Sequence, residues 1–340
     1  YWSPSLVKIA TNQAVIQSAS GINKFSNKYT AKILNFFGEF QEYEEEIINN
    51  KTNLITFYNK KLFNLLPRHG FLKSRLSFII IFIFGIFPLH NLIKTTKPNF
   101  LIIHLITSLP LFLLYFFKYE TKFILRISGF PKLNFFRKLL WKLTLNKIYK
   151  ITCPTNSTKN YLIGLNIIDK NKIEVLQDPV LNIRKIRKLQ LQSLDEKINN
   201  YLFAAGRLTQ QKNFEFLING FNKIHINHPD IKLLIAGDGE LQKRLKLVIK
   251  NLNLENKVHL IGFKKNIYNY MKNSKGFILS SLWEDPGFVL IEAAFCRVPI
   301  IASDCNNGPK EIINNDTYGY IFKSNDLDDL VKTLNKYLMD

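Results

Sequence analysis

The sequence predicts an α/β protein built from two doubly wound parallel sheets, each with helices on its faces. Short apolar segments alternate with amphipathic segments of helical spacing, the pattern of strand–helix–strand units. With 340 residues, 46% of them hydrophobic and 21% charged, the chain is long and apolar enough for two folded cores. A polar, charged segment over residues 184–200 has no apolar stripe. We therefore predict domains over residues 1–185 and 201–340, joined by a linker over residues 186–200.

The second half shows the alternation most clearly. Its predicted strands are short and apolar: Tyr201–Ala205, Ile231–Ala236, Val258–Ile261, Gly276–Ser280 and Pro299–Ala302. Its predicted helices are amphipathic or follow a turn: Asn213–His225, Glu240–Leu252, Ile267–Lys272 and Phe288–Phe295. Because such units form parallel sheets, whose ligands bind beyond the carboxyl ends of the strands, the polar residues after each strand are the candidates for a site.

The first half is less regular but of the same kind. Its predicted strands are Ala31–Phe36, Phe100–Leu105, Lys122–Arg126, Tyr149–Cys153 and Ile173–Leu176. The apolar run Leu76–Phe87 has 12 residues and ends at Pro88, whereas a membrane-crossing helix needs about 20. The run Leu101–Phe117 contains polar residues and Pro110, so we interpret it as a strand, a turn and a helix. These runs predict attachment to a membrane surface rather than a crossing.

Charge separates the two halves. Residues 1–185 carry 26 Lys and Arg against 9 Asp and Glu, whereas residues 186–340 carry 21 against 17. A basic surface with apolar runs is typical of proteins that bind an anionic membrane or nucleic acid, and a solvated basic surface has the same composition. The Phe residues alternate with Ile and Leu, as core residues do, which is against a nucleic-acid groove.

The segment Ser280–Ala293 is the strongest candidate for chemistry. Pro286 and Gly287 form a turn after a predicted strand, and a helix begins at Phe288. Backbone N–H groups of Phe288, Val289 and Leu290 would be free at the helix start, where the helix dipole favours an anion. The acids Glu284 and Glu292 flank this helix start. They suit the hydroxyl groups of a ligand whose phosphates meet the helix, although ordinary acids of a first helical turn would look the same.

Three further segments follow predicted strands. Arg207 and Lys212 bracket a loop at a helix start, where two cations could clamp a diphosphate, or where the loop could simply be solvated. Gly237 and Gly239 form a tight turn that lets a ligand approach the backbone. Asp304 and Glu311 lie around a Gly-Pro turn as candidate turn and cap acids. No metal site is predicted, because the Asp-x-Asp at residues 326–328 is interpreted as a helix cap.

The order of these motifs closely resembles retaining glycosyltransferases of family 4. The resemblance rests on GRLTQQKNFEFLINGF, LLIAGDGE, GF, SSLWEDPGFVLIEAA and PIIASDCNNGPKEII, between about Tyr201 and Phe322. It implies the GT-B fold, two Rossmann-like domains facing across a cleft. It also implies that Glu284 lies at the donor sugar, that Glu292 holds the ribose hydroxyls and that Arg207 and Lys212 bind the diphosphate. The remaining donor residues that it implies are Gly237, Gly239, Gly262, Gly287, Phe288, Val289 and Leu290.

The first half matches that family less distinctly. His104, at the end of a predicted strand, resembles the histidine that faces the donor sugar, and a hydrogen-bonded core histidine is the alternative. Arg126 and Ser128 are the candidates on the acceptor side. The family opens with a strand and a glycine-rich loop and closes with a helix that returns to the first domain. Neither is evident here, so we predict that the first strand and the closing helix are missing.

The resemblance implies a retaining transferase that moves a hexosyl or N-acetylhexosaminyl group from a nucleotide sugar, with UDP the expected nucleotide. No cofactor is expected. The expected acceptor is a membrane-associated glycan or lipid-linked molecule, as in lipopolysaccharide synthesis. The expected location is cytoplasmic, on the inner face of the cell membrane and in contact with its anionic surface; no nucleic-acid partner is expected. The alternatives are a nucleotide-sugar epimerase of the same fold and a non-catalytic membrane- or nucleic-acid-binding protein.

Overall fold

The computed structural model describes residues 1–5, 10–58, 71–131, 133–194, 198–314 and 317–339. The chain divides into two compact units, Tyr1–Val180 and Leu181–Asp340, here called unit 1 and unit 2. Each unit has a parallel sheet of its own, flanked by helices.

Unit 2 has a six-stranded, fully parallel sheet. Its strands are β7 (Tyr201–Ala205), β8 (Lys232–Ala236), β9 (Val258–Gly262), β10 (Gly276–Leu279), β11 (Ile300–Ser303) and β12 (Tyr320–Phe322). The order across the sheet is β9-β8-β7-β10-β11-β12, so the chain reverses its direction of growth between β7 and β10. In such a sheet the ligand crevice opens at the carboxyl ends of the two strands where the order reverses.

Helices pack on both faces of this sheet. They are α7 (Ile183–Leu189), α8 (Phe214–Ile224), α9 (Gln242–Asn251), α10 (Tyr268–Asn273), α11 (Phe288–Phe295), α12 (Pro309–Ile313) and α13 (Leu327–Met339). Alternate residues of each strand point to opposite faces, so Leu202 and Ala204 belong to one core cluster, and Tyr201 and Phe203 belong to the other. Apolar residues on both faces explain the continuous apolar strands in the sequence.

The segment predicted as a linker is partly helical. Asn182 caps α7, its side chain accepting a hydrogen bond from the Lys185 N–H at 3.1 Å. Ile186 is buried in the core of unit 2, and the Asn269 amide donates to the Ser193 carbonyl at 3.0 Å. The prediction of a linker over residues 186–200 is therefore wrong for α7. It missed this helix because one buried residue in a helix of seven makes no visible stripe.

Unit 1 also has a parallel sheet. Its strands are β1 (Lys32–Asn35), β2 (Asn53–Thr56), β3 (Phe100–Ile103), β4 (Lys122–Arg126), β5 (Lys150–Cys153) and β6 (Ile173–Val175). β1 pairs with β2, and β3 to β6 pair in sequence order. Trp2 joins the two groups, because it bridges to Leu34 and to Ile103 in parallel pairing. We expected no opening strand, whereas the backbone of Trp2 occupies a strand position between β1 and β3.

The helices of unit 1 are α1 (Ala10–Phe25), α2 (Glu44–Asn49), α3 (Phe71–Thr96), α4 (Ser108–Phe116), α5 (Phe135–Thr144) and α6 (Asn156–Gly164). α3 has 26 residues and continues through Pro88. The helix is therefore longer than the 12-residue apolar run that stops at Pro88 in the sequence. By length and composition, Leu76–Thr96 could cross a membrane: it has 21 residues, and an 18-residue stretch of it has a mean hydropathy of 2.2 and is 28% buried within the protein.

Candidate active site

The two loops at the reversal point of unit 2 are hydrogen-bonded to each other. One follows β7 and carries Arg207 and Lys212; the other follows β10 and leads to α11. The Leu282 N–H donates to the Gln211 carbonyl at 2.8 Å, and the Gln211 amide donates to the Trp283 carbonyl at 2.9 Å. The Ser280 hydroxyl donates to the Lys212 carbonyl at 2.8 Å. The sheet order therefore brings together two segments that lie about 70 residues apart.

Glu284 lies where these loops meet and is held by two donors. The Lys212 ammonium is 2.6 Å from Glu284 Oε1, and the Ser281 hydroxyl donates to the same oxygen at 2.5 Å. The side chains of Lys212 and Glu284 are 16% and 5% exposed, so this is a mostly buried ion pair. Glu284 Oε2 has no hydrogen bond within the described part of the chain. A carboxylate fixed through one oxygen keeps the other for a ligand hydroxyl.

A third loop, after β11, fixes the backbone of Glu284. The Glu284 N–H donates to the Asn306 carbonyl, and the Asn307 amide donates to the Glu284 carbonyl, each at 3.1 Å. Gly308 has a φ of 129°, and a methyl group there would overlap the Pro286 carbonyl oxygen. Only glycine lets this loop lie against the loop that carries Glu284. Asp304 accepts a hydrogen bond from the Ser324 N–H at 2.7 Å, 20 residues further along the chain, so it connects two segments rather than closing its own turn.

The start of α11 has the geometry of an anion site, with one correction. Gly287 precedes the helix with a φ of 89°, and its Cα lies close to the stem of Glu284. The first N–H groups, of Phe288 and Val289, lie at the positive end of the helix. The Leu290 N–H donates to the Gly287 carbonyl at 2.9 Å, and the Leu290 side chain is buried in the core. The prediction that Leu290 offers a free N–H is therefore wrong.

Glycines line the neighbouring strand ends. The Gly206 N–H donates to the Ala236 carbonyl at 3.0 Å, and the Gly237 N–H donates to the Gly262 carbonyl at 2.8 Å. A methyl group on Gly237 would overlap the Gly206 carbonyl, and one on Gly239 would overlap the Leu208 carbonyl. Because glycine has no side chain, these residues let a ligand approach the backbone at the carboxyl ends of the adjacent strands β7, β8 and β9.

The predicted cations of the loop after β7 differ in environment. The stem of Lys212 packs over the Cα of Gly206, while its ammonium reaches Glu284. Arg207 is exposed and forms no ion pair with any residue that the structure describes. Arg207 is therefore available to a ligand anion, whereas Lys212 is already positioned by a carboxylate.

Glu292 is half-buried inside α11 and has a hydrogen-bond partner that the sequence did not indicate. The Tyr268 hydroxyl, on α10, donates to Glu292 Oε1 at 2.9 Å. Burial raises the pKa of the Glu292 carboxyl above its usual value, and the Tyr268 hydrogen bond opposes this shift. Tyr268 and Ser281 were missed, because nothing in their spacing separates them from other polar residues near a strand end.

His104 lies at the reversal point of the unit 1 sheet. Its N–H donates to the Trp2 carbonyl at 2.9 Å, at the carboxyl end of β3. Burial lowers the pKa of His104 to about 3, and the charge of Arg126 acts in the same direction. The ring is therefore neutral near pH 7. Its Nδ1 is buried without a hydrogen-bond partner among the described residues, so the alternative of a hydrogen-bonded core histidine has no support from this nitrogen.

The acceptor-side candidates are placed differently from each other. Arg126 forms a buried ion pair with Asp178, at 2.6 Å, and also donates to the Leu176 carbonyl. Its guanidinium is therefore committed to unit 1 itself. Ser128 is half-buried in the loop after β4.

The Asp-x-Asp segment has the predicted capping role. Asp326 Oδ1 accepts a hydrogen bond from the Asp329 N–H at 3.0 Å, at the start of α13. Within the described ranges, no three His, Cys, Asp or Glu side chains group closely enough to hold a metal ion.

Known proteins resemble this chain in sequence and in fold. The family model for "Glycosyl transferases group 1" matches residues 186–340. An uncharacterised glycosyltransferase of Methanocaldococcus jannaschii is 30% identical over 314 residues, which cover 86% of this chain and 73% of that protein. A UDP-Gal:alpha-D-GlcNAc-diphosphoundecaprenol alpha-1,3-galactosyltransferase of Escherichia coli is 31% identical over 194 residues, 54% of this chain and 50% of that enzyme. This chain thus spans about half of the second relative.

A glycosyltransferase of Rickettsia africae has the same fold. It superimposes with a TM-score of 0.73 and 19% identity, over 99% of this chain and 86% of that structure. The likeness confirms the predicted GT-B class, with two Rossmann-like parallel-sheet domains.

Proposed function

The chain belongs to the group 1 glycosyltransferases, and from this membership we propose that it transfers a sugar from a nucleotide sugar to a lipid-linked or glycan acceptor. The observation that carries the proposal is the cluster of Lys212, Ser281 and Glu284 at the reversal point of unit 2. A buried, fixed carboxylate beside an exposed arginine and a helix start suits a ligand with both hydroxyl and phosphate groups.

The donor diphosphate would rest on the cationic side of this site. Arg207 supplies a forked guanidinium, Lys212 an ammonium, and Phe288 and Val289 backbone N–H groups. Negative charge grows on the diphosphate as its oxygen separates from C1 of the sugar. Groups already fixed around that oxygen stabilise the charge without reorganising, which is the largest contribution in many such sites. The ion pair with Glu284 holds the Lys212 ammonium in position before the donor binds, so this cation needs no reorganisation during the reaction.

The two acids take the hydroxyl groups. Glu284 Oε2 is positioned for a hydroxyl of the donor sugar, and Glu292 for the ribose hydroxyls of the nucleotide. Neither is assigned as a nucleophile. We propose retention of configuration: the C1–phosphate bond breaks, the acceptor oxygen bonds to C1 from the same face, and the acceptor proton passes to the departing phosphate oxygen. These reaction steps need no metal ion or cofactor.

The neutral His104 is the proposed residue of unit 1 at the donor sugar, with an imidazole that accepts or donates a hydrogen bond without carrying charge. Ser128 remains the proposed acceptor-side hydroxyl. Arg126 would act there through its ion pair with Asp178 rather than by direct contact.

The name of one relative supports a proposal for the chemical class of the donor and the acceptor. The Escherichia coli relative is named for a UDP-Gal donor and a diphosphoundecaprenol acceptor. We propose a UDP-sugar donor carrying a hexosyl or N-acetylhexosaminyl group, and an acceptor linked to a membrane lipid. We further propose that the protein acts in the cytoplasm, on the inner face of the cell membrane, where the basic residues of unit 1 contact anionic lipid.

Calorimetric titration with UDP tests the donor site without a known acceptor. Losing a charge-assisted hydrogen bond costs about 1.5–3 kcal/mol, so Arg207→Ala and Glu292→Gln should each weaken UDP binding by about tenfold or more. Lys246→Ala, on the exposed face of α9, is the matched control and should leave the affinity unchanged. UDP affinities of both site variants within about threefold of the unaltered protein would refute the assignment. An epimer formed from the nucleotide sugar alone would favour the epimerase instead.

A further inference from the structure

Unit 1 exposes large apolar side chains on three consecutive helices, α3, α4 and α5. Here they are called the three-helix surface. On α3 the most exposed are Ile79, Ile83 and Phe87, and on α5 they are Phe135, Phe136 and Leu139. Phe87, Phe135 and Phe136 are 75%, 76% and 78% exposed. Such exposure repeated over neighbouring helices marks an interaction surface, whereas single exposed apolar residues do not.

α3 has apolar residues on both of its sides. The side that faces the protein repeats every fourth residue, with the large residues Ile81, Leu89 and Ile93 and the small residues Ser77 and Gly85. A methyl group on Gly85 would overlap the Leu109 side chain, so α3 packs closely against α4 there. The opposite side carries further large Ile and Phe residues that are exposed. This helix therefore exposes a second apolar side in addition to the one that it buries, and such exposure to water is unfavourable.

α5 also exposes large apolar residues on the side away from the core. Asn134 caps it by accepting from the Arg137 N–H at 2.9 Å, and Trp141 anchors it in the core. Phe135, Leu139 and Leu143 are spaced four apart on its exposed side. Lys138 and Lys142 are also exposed on this helix. Exposed Phe and Leu beside Lys are typical of a helix that lies in the plane of a membrane interface.

The three helices are joined by direct contacts. The ring of Phe82 on α3 lies 5.2 Å from that of Phe112 on α4, and Phe112 lies 4.6 Å from the exposed Phe116. Lys147, just after α5, donates to the Tyr115 carbonyl at 3.1 Å and lies 5.3 Å from the Tyr115 ring. The apolar side chains therefore belong to one packed group of helices.

The charge of this region indicates which kind of partner binds to the three-helix surface. From Phe71 to Lys147 the sequence has 12 Lys and Arg and one acid, Glu120. Glu120 is paired with Lys97 at 2.9 Å. A second copy of the chain would bring two such basic surfaces together, and their charges would repel. Lipid phosphates offer the opposite charge above an apolar phase, which matches both features of the surface.

We propose that the three-helix surface docks on an anionic lipid bilayer, with its exposed apolar side chains in the acyl region and Lys138 and Lys142 among the lipid phosphates. The proposal builds on the proposed function, because a lipid-linked acceptor is presented in that plane. It adds insertion of named apolar side chains to the attraction of basic residues.

Vesicle flotation tests the docking. The unaltered protein should float with vesicles of phosphatidylcholine and phosphatidylglycerol, and less with phosphatidylcholine alone. The variant Phe135→Ser/Phe136→Ser/Leu139→Ser should bind the vesicles more weakly by about tenfold or more, because the burial of apolar side chains in the bilayer is lost. The control Ile226→Ser/Leu247→Ser changes residues of unit 2 that are 72% and 61% exposed, and should float as the unaltered protein does. Lys138→Glu/Lys142→Glu should lose the preference for phosphatidylglycerol.

UDP titration of the same variants separates this proposal from the proposed function. Flotation lost in the α5 variant while UDP affinity is retained supports docking. Flotation that is equal in all variants, or absent in the unaltered protein, overturns docking whatever the UDP result. A dimer that becomes a monomer in the α5 variant, seen by analytical ultracentrifugation without lipid, would also overturn it in favour of a second copy.

Discussion

At the scale of single residues, the two carboxylates of the donor site are held in different ways. Glu284 is fixed by an ammonium and a hydroxyl on one oxygen. Among the residues that the structure describes, Glu292 accepts a hydrogen bond only from the Tyr268 hydroxyl, in surroundings that raise the pKa of its carboxyl. The first arrangement keeps a charge in a buried place, because a buried carboxylate is stable only when it is paired. In the second arrangement, the negative charge of Glu292 is stabilised by the neutral Tyr268 hydroxyl rather than by a cation.

This difference predicts an effect of Tyr268→Phe on UDP binding. Tyr268 lowers the pKa of Glu292 against the effect of burial, so its removal lets the carboxyl take up a proton at a higher pH. A protonated Glu292 accepts ribose hydroxyls less well, so UDP affinity should fall as the pH is lowered through this pKa. In Tyr268→Phe the fall should begin at a higher pH, and affinity near pH 7 should be about tenfold weaker.

The measurement is UDP titration calorimetry over a range of pH. Tyr337→Phe is the control, because the Tyr337 hydroxyl donates to the Lys275 carbonyl at the amino end of β10. Parallel pH profiles for Tyr268→Phe and the unaltered protein would show that Tyr268 does not position Glu292.

At the scale of elements, the strand-to-helix loops of unit 2 depend on glycines where backbones meet. Gly237 and Gly308 each have a positive φ and lie against the carbonyl of another loop. These positions were visible in the sequence as GDG and GP turns after strands. The partner carbonyls, of Gly206 and Pro286, could not be identified from the sequence, since they belong to loops that follow other strands of the sheet.

Gly308→Ala should therefore damage the donor site. The added methyl group would overlap the Pro286 carbonyl, and the φ of 129° is unfavourable for alanine, so we expect a loss of about 1–3 kcal/mol in the free energy of unfolding. UDP affinity should fall too, because the loop after β11 holds the backbone of Glu284.

Gly164→Ala is the matched control. Gly164 lies at the end of α6 with nothing within 4 Å of an added methyl group. Alanine there should be neutral or stabilise by about 0.5–1 kcal/mol. Urea unfolding measures both variants, and an equal effect of the two would contradict the role given to Gly308.

At the scale of the whole molecule, each unit has its own sheet and its own apolar core. The core clusters of unit 2 draw on residues from Ile186 to Leu334, and those of unit 1 from Trp2 to Ile173. Since no core cluster of the described residues mixes the units, we expect unit 2 to fold by itself.

A fragment of residues 181–340 should therefore fold and bind UDP. A fragment of residues 201–340 lacks α7 and the buried Ile186, and burying such a side chain is worth about 1.5–3 kcal/mol. Urea unfolding of both fragments should show the shorter one to be less stable by about that amount. Equal stability would show that α7 is a linker after all.

The sequence by itself determined the class of fold, the strands β7 to β11 and the helices α8 to α11 of unit 2, and the positions of the polar residues after the strands. It could do so because apolar periodicity and turn residues are local. The tertiary structure decided which of those residues meet: the ion pair of Lys212 with Glu284, the bond from Tyr268 to Glu292 and the place of Trp2 in the sheet. It also decided which side of α3 faces outwards. These outcomes depend on strand order and on packing between distant segments, and no local pattern encodes either.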